Sequence, residues 1–194
     1  MKRILLGVLT IGLISTFAIG ATRAYFSSQG ISSNNTFATG TLDLRLSDIN
    51  EIDQESVTAS WSDLNMVPGG TAVFGTIQLK NSGTILGNHV DVVVDNMCDE
   101  IDMDSYLEIT SASFDGENIL GSIFDKNDNK YKDLNDLQQT DDSLTGLDNL
   151  ILADINVSHS FTLSIRLHAE TPNDYQGKSC NSVFTFTLNQ DISQ

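Results

Sequence analysis

An all-β, antiparallel sandwich is what this sequence predicts, on three observations. Apolar and polar residues alternate in short runs spread over most of the chain, the period of a half-buried strand. Turn formers separate the runs, as at Pro68-Gly69-Gly70 and Asn81-Ser82-Gly83. Seven or so such runs, with no internal repeat, suit two packed sheets.

Taken in order, the chain opens on a leader. Lys2 and Arg3 precede an uncharged apolar run over residues 4–19, and Gly20, Ala21, Thr22 and Ala24 supply the small residues a signal peptidase accepts. Cleavage after Ala24 makes Tyr25 the new N-terminus. The alternative is a retained anchor, but the run is shorter than the roughly 20 residues that span a bilayer. Residues 25–35 are rich in Ser, Asn and Gln and read as an arm, yet Tyr25, Phe26, Ile31 and the following Phe37 are too apolar for a spacer.

Strands are then expected over 41–46 (Leu42, Leu44 and Leu46 on one face), 57–61 (Val57, Ala59, Trp61) and 72–79 (Phe74, Ile77, Leu79). Others follow over 89–95 (Val90, Val92, Val94) and 107–114. Over 117–152 the period turns helical, with Leu134, Leu137, Leu144, Leu147 and Leu150 among polar residues, so one or two short helices are expected there. The β pattern returns over 157–169 (Phe161, Leu163, Ile165, Leu167) and 183–188 (Phe184, Phe186, Leu188).

Composition bounds the partners. The 194 residues carry a net charge of −16. The leader holds Lys2, Arg3 and Arg23 and no acid, so the remainder stands three charges lower, at −19. Such a chain does not neutralise phosphates, which argues against nucleic acid. Packing copies together costs repulsion that salt or divalent cations relieve. Cys98 and Cys180 lie far apart and lack a C-x-x-C spacing. In an exported protein they can close one long-loop disulfide; otherwise they are two separate thiols.

Three segments together carry a resemblance. They are Ala24-Tyr25-Phe26-Ser27 with Thr36-Phe37-Ala38-Thr39-Gly40-Thr41-Leu42-Asp43-Leu44, then Leu64-Asn65-Met66-Val67-Pro68-Gly69-Gly70 leading to Asn81-Ser82-Gly83, and Asn173-Asp174-Tyr175-Gln176-Gly177 leading to Phe184-Thr185-Phe186. In order and spacing this resembles the TasA/camelysin family of exported proteins, and archaeal bundling pilins similar to it. The resemblance implies a jelly-roll sandwich, release by a SipW-type signal peptidase and assembly into extracellular filaments. It also implies the mechanism, in which the freed arm of one subunit adds a strand to the next. The arm side chains would be Tyr25, Phe26, Ile31 and Phe37. The partner is the chain itself, head to tail, with a minor anchoring subunit as a further candidate. The expected layout is a signal peptide over 1–24, a donor arm over 25–40 and a jelly-roll domain over 41–194, with its insertion at about 117–152.

Some members of the family are described as metallo-endopeptidases, which is the alternative function; a monomeric surface-binding module is another. The residues argue against catalysis. His89, His159 and His168 are the only histidines, none in the H-E-x-x-H spacing of a zinc protease. No cofactor is required. A calcium loop is the better metal reading: Asp125, Asn127, Asn129, Asp133 and Asp136 take positions 1, 3, 5, 9 and 12 of an EF-hand-like spacing. Lys130 stands where such a loop has Gly, and Asp136 where it has Glu. The bland alternative is a polar surface loop. Asn34-Asn35-Thr36 and Asn156-Val157-Ser158 are glycosylation sequons.

Overall fold

The computed structural model describes residues 39–58, 61–63, 65–138 and 147–190. The leader, the Ala24/Tyr25 cleavage site, the arm residues Tyr25, Phe26, Ile31 and Phe37, and the first sequon lie outside these residues.

Eight strands form among the described residues: β1 (Leu44–Ser47), β2 (Val73–Asn81), β3 (His89–Cys98), β4 (Leu107–Phe114), β5 (Glu117–Asn118), β6 (Leu147–Ile151), β7 (Ser158–Leu167) and β8 (Cys180–Asn189). They make a five-stranded sheet ordered β1-β2-β7-β4-β5 and a three-stranded sheet ordered β6-β3-β8. Every ladder is antiparallel. An eight-stranded jelly roll orders its two sheets 2-7-4-5 and 1-8-3-6. This chain reproduces the first order and the 8-3-6 part of the second, while its β1 lies on the outer side of β2.

The core follows the alternation. Val90, Val92 and Val94 of β3 are fully buried, facing Phe161, Leu163 and Ile165 of β7 and Ile77 and Leu79 of β2 across the sandwich. Val67-Pro68-Gly69-Gly70 closes a turn, with Gly69 at φ 68° and the Gly70 N–H donating to the Val67 carbonyl at 2.9 Å. Asn81 is fully buried: its amide donates to the Ile85 carbonyl (2.9 Å) and its Oδ1 accepts from the Gly83 N–H (3.0 Å). A side chain at Gly83 would strike the Thr41 carbonyl, so glycine is required there by close approach.

The expectation of helices over 117–152 is corrected, since no α-helix occurs among the described residues. Asp115 (φ 50°) and Gly116 (φ 82°) form a two-residue hairpin turn that pairs Phe114 with Glu117. Leu134 and Leu137 sit buried in a loop, where the Leu134 N–H donates to the Leu107 carbonyl and the Val94 N–H donates to the Leu137 carbonyl. Leu147 and Leu150 belong to β6. Val90 faces Leu150 and Val92 faces Leu147, so a two-residue step on β3 matches three on β6. That bulge turns residues three apart to the same face, which mimics a helical period.

The strand expected over 57–61 is also corrected. Val57, Thr58 and Trp61 lie in no strand. Trp61 instead plugs one side of the sandwich, its ring 4.7 Å from that of Phe184 of β8 at a tilt of 32° and edge-on at 6.4 Å to Phe161 of β7. Its indole N–H donates to the Leu163 carbonyl at 3.1 Å.

Candidate functional site

The two sides of the sandwich differ. On the β4/β6 side the 123–138 loop crosses from one sheet to the other and seals the core, with Ile123, Leu134 and Leu137 buried. One buried carboxylate anchors it: Asp104 accepts from the amides of Asn96 (3.2 Å), Asn135 (3.2 Å) and Gln138 (2.8 Å). Sequence reading missed Asp104, and only its position in a short turn amid amide-bearing neighbours hinted at it.

The β8 side is less complete. Inward-facing Phe184, Phe186 and Leu188 remain half-buried, as does Trp61, whereas the facing valines of β3 are sealed. Among the described residues β8 pairs only with β3. It runs ten residues with no Pro and no charge. Long edge strands of that kind are templates for another strand, and proteins ordinarily protect them with Lys, Pro or a covering element. By contrast the outer edge of β1 is bridged by Gln54, whose N–H and C=O exchange 2.8 Å bonds with Leu46.

Cys98 and Cys180 face each other across the β3–β8 ladder and are disulfide-bonded. The bond pins the first residue of β8 to the last of β3 and closes a loop with a sequence separation of 82. It holds that end of the strand in place; among the described residues nothing pairs with the outer side of β8.

The five expected calcium ligands are brought into one loop. Asp125 accepts the N–H groups of Asn129 (3.2 Å) and Lys130 (2.9 Å). Lys130 adopts φ 78°, so it makes the turn where glycine was expected. Asp136 accepts the N–H groups of Lys126 (2.8 Å) and Asp133 (3.1 Å). Asp133 accepts the amides of Asn127 (3.2 Å) and Asn129 (2.6 Å) and the Asp136 N–H (3.1 Å). The loop's own donors thus turn onto these oxygens. Burial pushes the Asp133 carboxyl up to about 6, against the pull of the two Asn amides, and raises Asp136 as well.

The three histidines lie in three places. His89 contacts Asn88, Asn189 and Asp91 on the outer sheet face. His159 pairs with Asp115 at 2.7 Å, and Asp115 is held low mainly by the N–H of Ser160 and by His159, against its own burial. His168, at the other end of β7, stacks on Tyr131 at 4.0 Å. These residues do not fit a histidine-held zinc. Among the described residues no group of three or more His, Cys, Asp or Glu is placed to hold a metal ion. Asn156 of the second sequon is exposed, in a left-handed turn at φ 60°. No helix among the described residues is long and apolar enough to cross a membrane.

No curated protein matches the sequence significantly. One family model does match, over residues 1–194, and its description is camelysin metallo-endopeptidase. The match spans the whole chain, and the chain belongs to the camelysin family of secreted proteins.

Proposed function

We propose that the protein is an exported structural subunit that polymerises into an extracellular filament, its N-terminal arm adding a strand to the next copy. The observation that carries this reading is the ten-residue, uncharged, proline-free β8 with its half-exposed aromatic inner face. Main-chain hydrogen bonds would give such a contact its affinity and apolar side chains its register. Because donor and acceptor surfaces differ, the contact does not close on itself and builds an open fibre. Removal of the leader frees the arm, so cleavage after Ala24 is the assembly switch. Salt or divalent cations would favour assembly by screening the charge of −19 carried beyond the leader.

Deletion tests this. A chain begun at Thr36 should sediment as a monomer with its sandwich intact, under conditions where a chain begun at Tyr25 sediments as polymer. Equal polymer from both would sink arm donation.

The family's description favours a second reading, a secreted metallo-endopeptidase. It predicts chelator-sensitive proteolysis by the purified mature chain, with stoichiometric bound metal.

A further inference from the structure

We infer that Asn156 is the acceptor of an N-linked glycan, added during export from an oligosaccharide carried on a lipid phosphate. This goes beyond the filament reading and does not depend on it.

The local sequence supplies three groups at even spacing. Asn156-Val157-Ser158 places a hydroxyl two residues after an amide, the spacing that oligosaccharide transfer to Asn requires. Asp154 stands two residues before the amide. In an extended segment Asp154, Asn156 and Ser158 project to one side, because the side-chain period of a strand is two. A transferase that binds the segment extended therefore meets a carboxylate, an amide and a hydroxyl together. The carboxylate offers an Arg or Lys of the transferase a charge-assisted contact. The other sequon, Asn34-Asn35-Thr36, has Ser32 in the place of that acid.

The fold leaves these groups accessible. Leu152, just after β6, is fully buried, and its N–H donates to the Asn88 carbonyl at 3.1 Å. The chain then passes from the three-stranded sheet to the five-stranded one, which it enters at Ser158. Within this crossing Asp154, Asn156, Val157 and Ser158 are exposed. The side chains of Asp154, Asn156 and Ser158 have no hydrogen-bond partner among the described residues. Little holds the segment in its turn. The Asn156 N–H donates to the Asn81 carbonyl at 2.8 Å, and Ser158 faces Lys80 at the end of the β2–β7 ladder. Extending the left-handed turn at Asn156 (φ 60°) thus disturbs one backbone hydrogen bond and one ladder end. Leu152 and Phe161, fully buried on either side, keep the core closed while it opens.

In the transfer, Nδ2 of Asn156 bonds to the anomeric carbon of the first sugar. The bond from that carbon to the phosphate oxygen breaks, the lipid phosphate leaves with the electron pair, and one amide proton passes to a base of the transferase. This chain contributes the nitrogen and the groups by which the segment is read. The attached glycan would stand in solvent where β2 finishes and β7 begins, with no buried contact changed.

Mass spectrometry of the mature protein taken from the surface of the cells that naturally make it tests the inference. Trypsin cuts after Lys132 and Arg166, and Asn156-Val157-Ser158 is the one sequon in the peptide between them. That peptide should carry sugar mass, localised to Asn156 by fragmentation. Asn156→Gln and Ser158→Ala should each return it to its unmodified mass, while Ser158→Thr keeps the glycan. All these positions are exposed, so melting temperatures measured on the same samples should show folded protein throughout. Asp154→Ala should lower the modified fraction by up to about tenfold, the loss expected for one charge-assisted contact. The exposed Asn118, Asn173 and Asn181 have Leu120, Tyr175 and Val183 two residues on, and should stay unmodified. An unmodified 133–166 peptide in the surface protein would overturn the inference, and so would sugar mass that survives Asn156→Gln. An unchanged modified fraction in Asp154→Ala would overturn the role given to the acid.

Discussion

Phe161→Ala should lower the unfolding free energy by about 3–5 kcal/mol. Phe161 is fully buried at the middle of the five-stranded sheet, on β7, the strand shared by β2 and β4. Its ring meets Trp61 edge-on at 6.4 Å and Phe186 of the opposite sheet at 5.4 Å. Truncation removes the apolar transfer and leaves a cavity that two β-sheets, bridged by these aromatics, cannot readily collapse. Phe74→Ala is the comparison: Phe74 lies on β2 with 67% of its surface exposed, and its loss should change stability by about 0.5 kcal/mol or less. Urea unfolding of the two variants checks this, with the midpoint falling for the first and the slope unchanged. A loss below about 1 kcal/mol for Phe161→Ala would show that the sheets do not pack as described.

Stability should also rise as the pH falls from 7.5 toward 4.5, by about 2 kcal/mol from Asp133. Its carboxyl is held near 6 in the folded protein by burial, above the ordinary carboxylate range. Between the ordinary value and about 6 the folded state binds a proton that the unfolded chain lacks, so stability is greatest below that window and is lost as pH rises through it. Asp136, also raised, acts with the same sign. Asp99 and Asp115 are held low, so their contribution is lost only at lower pH. Asp133→Asn isolates the effect. An Asn at 133 cannot accept from Asn127, Asn129 and the Asp136 N–H together, because one of its two terminal atoms is a donor. The variant should be less stable at pH 7.5 by about 1–3 kcal/mol, with a flatter profile from 4.5 to 7.5. An unaltered profile would place the titration elsewhere.

How much of this was legible in the sequence varies by element. The long strands were, because each buries one face: the valines of β3 and the inward residues of β7 alternate without interruption. The disulfide was legible only as a choice, since register decides whether Cys98 meets Cys180. The insertion was misread for two physical reasons. A bulge on β6 sets Leu147 and Leu150 on one face at a helical spacing. Leu134 and Leu137 are buried by turns that hydrogen-bond to β4 and β3, a tertiary effect with no local period. The Asp115-Gly116 hairpin, by contrast, carried a local signal that a reading centred on the helical period passed over. The edge position of β8 among the described strands could not be read at all, because it is a property of strand order and strand order is fixed by long-range pairing.

Electron microscopy of the purified chain begun at Tyr25, concentrated with and without calcium, tests the central claim most directly. The account predicts regular thin filaments whose subunit density shows a strand lying against β8. Particles that remain monomeric in every condition would contradict it.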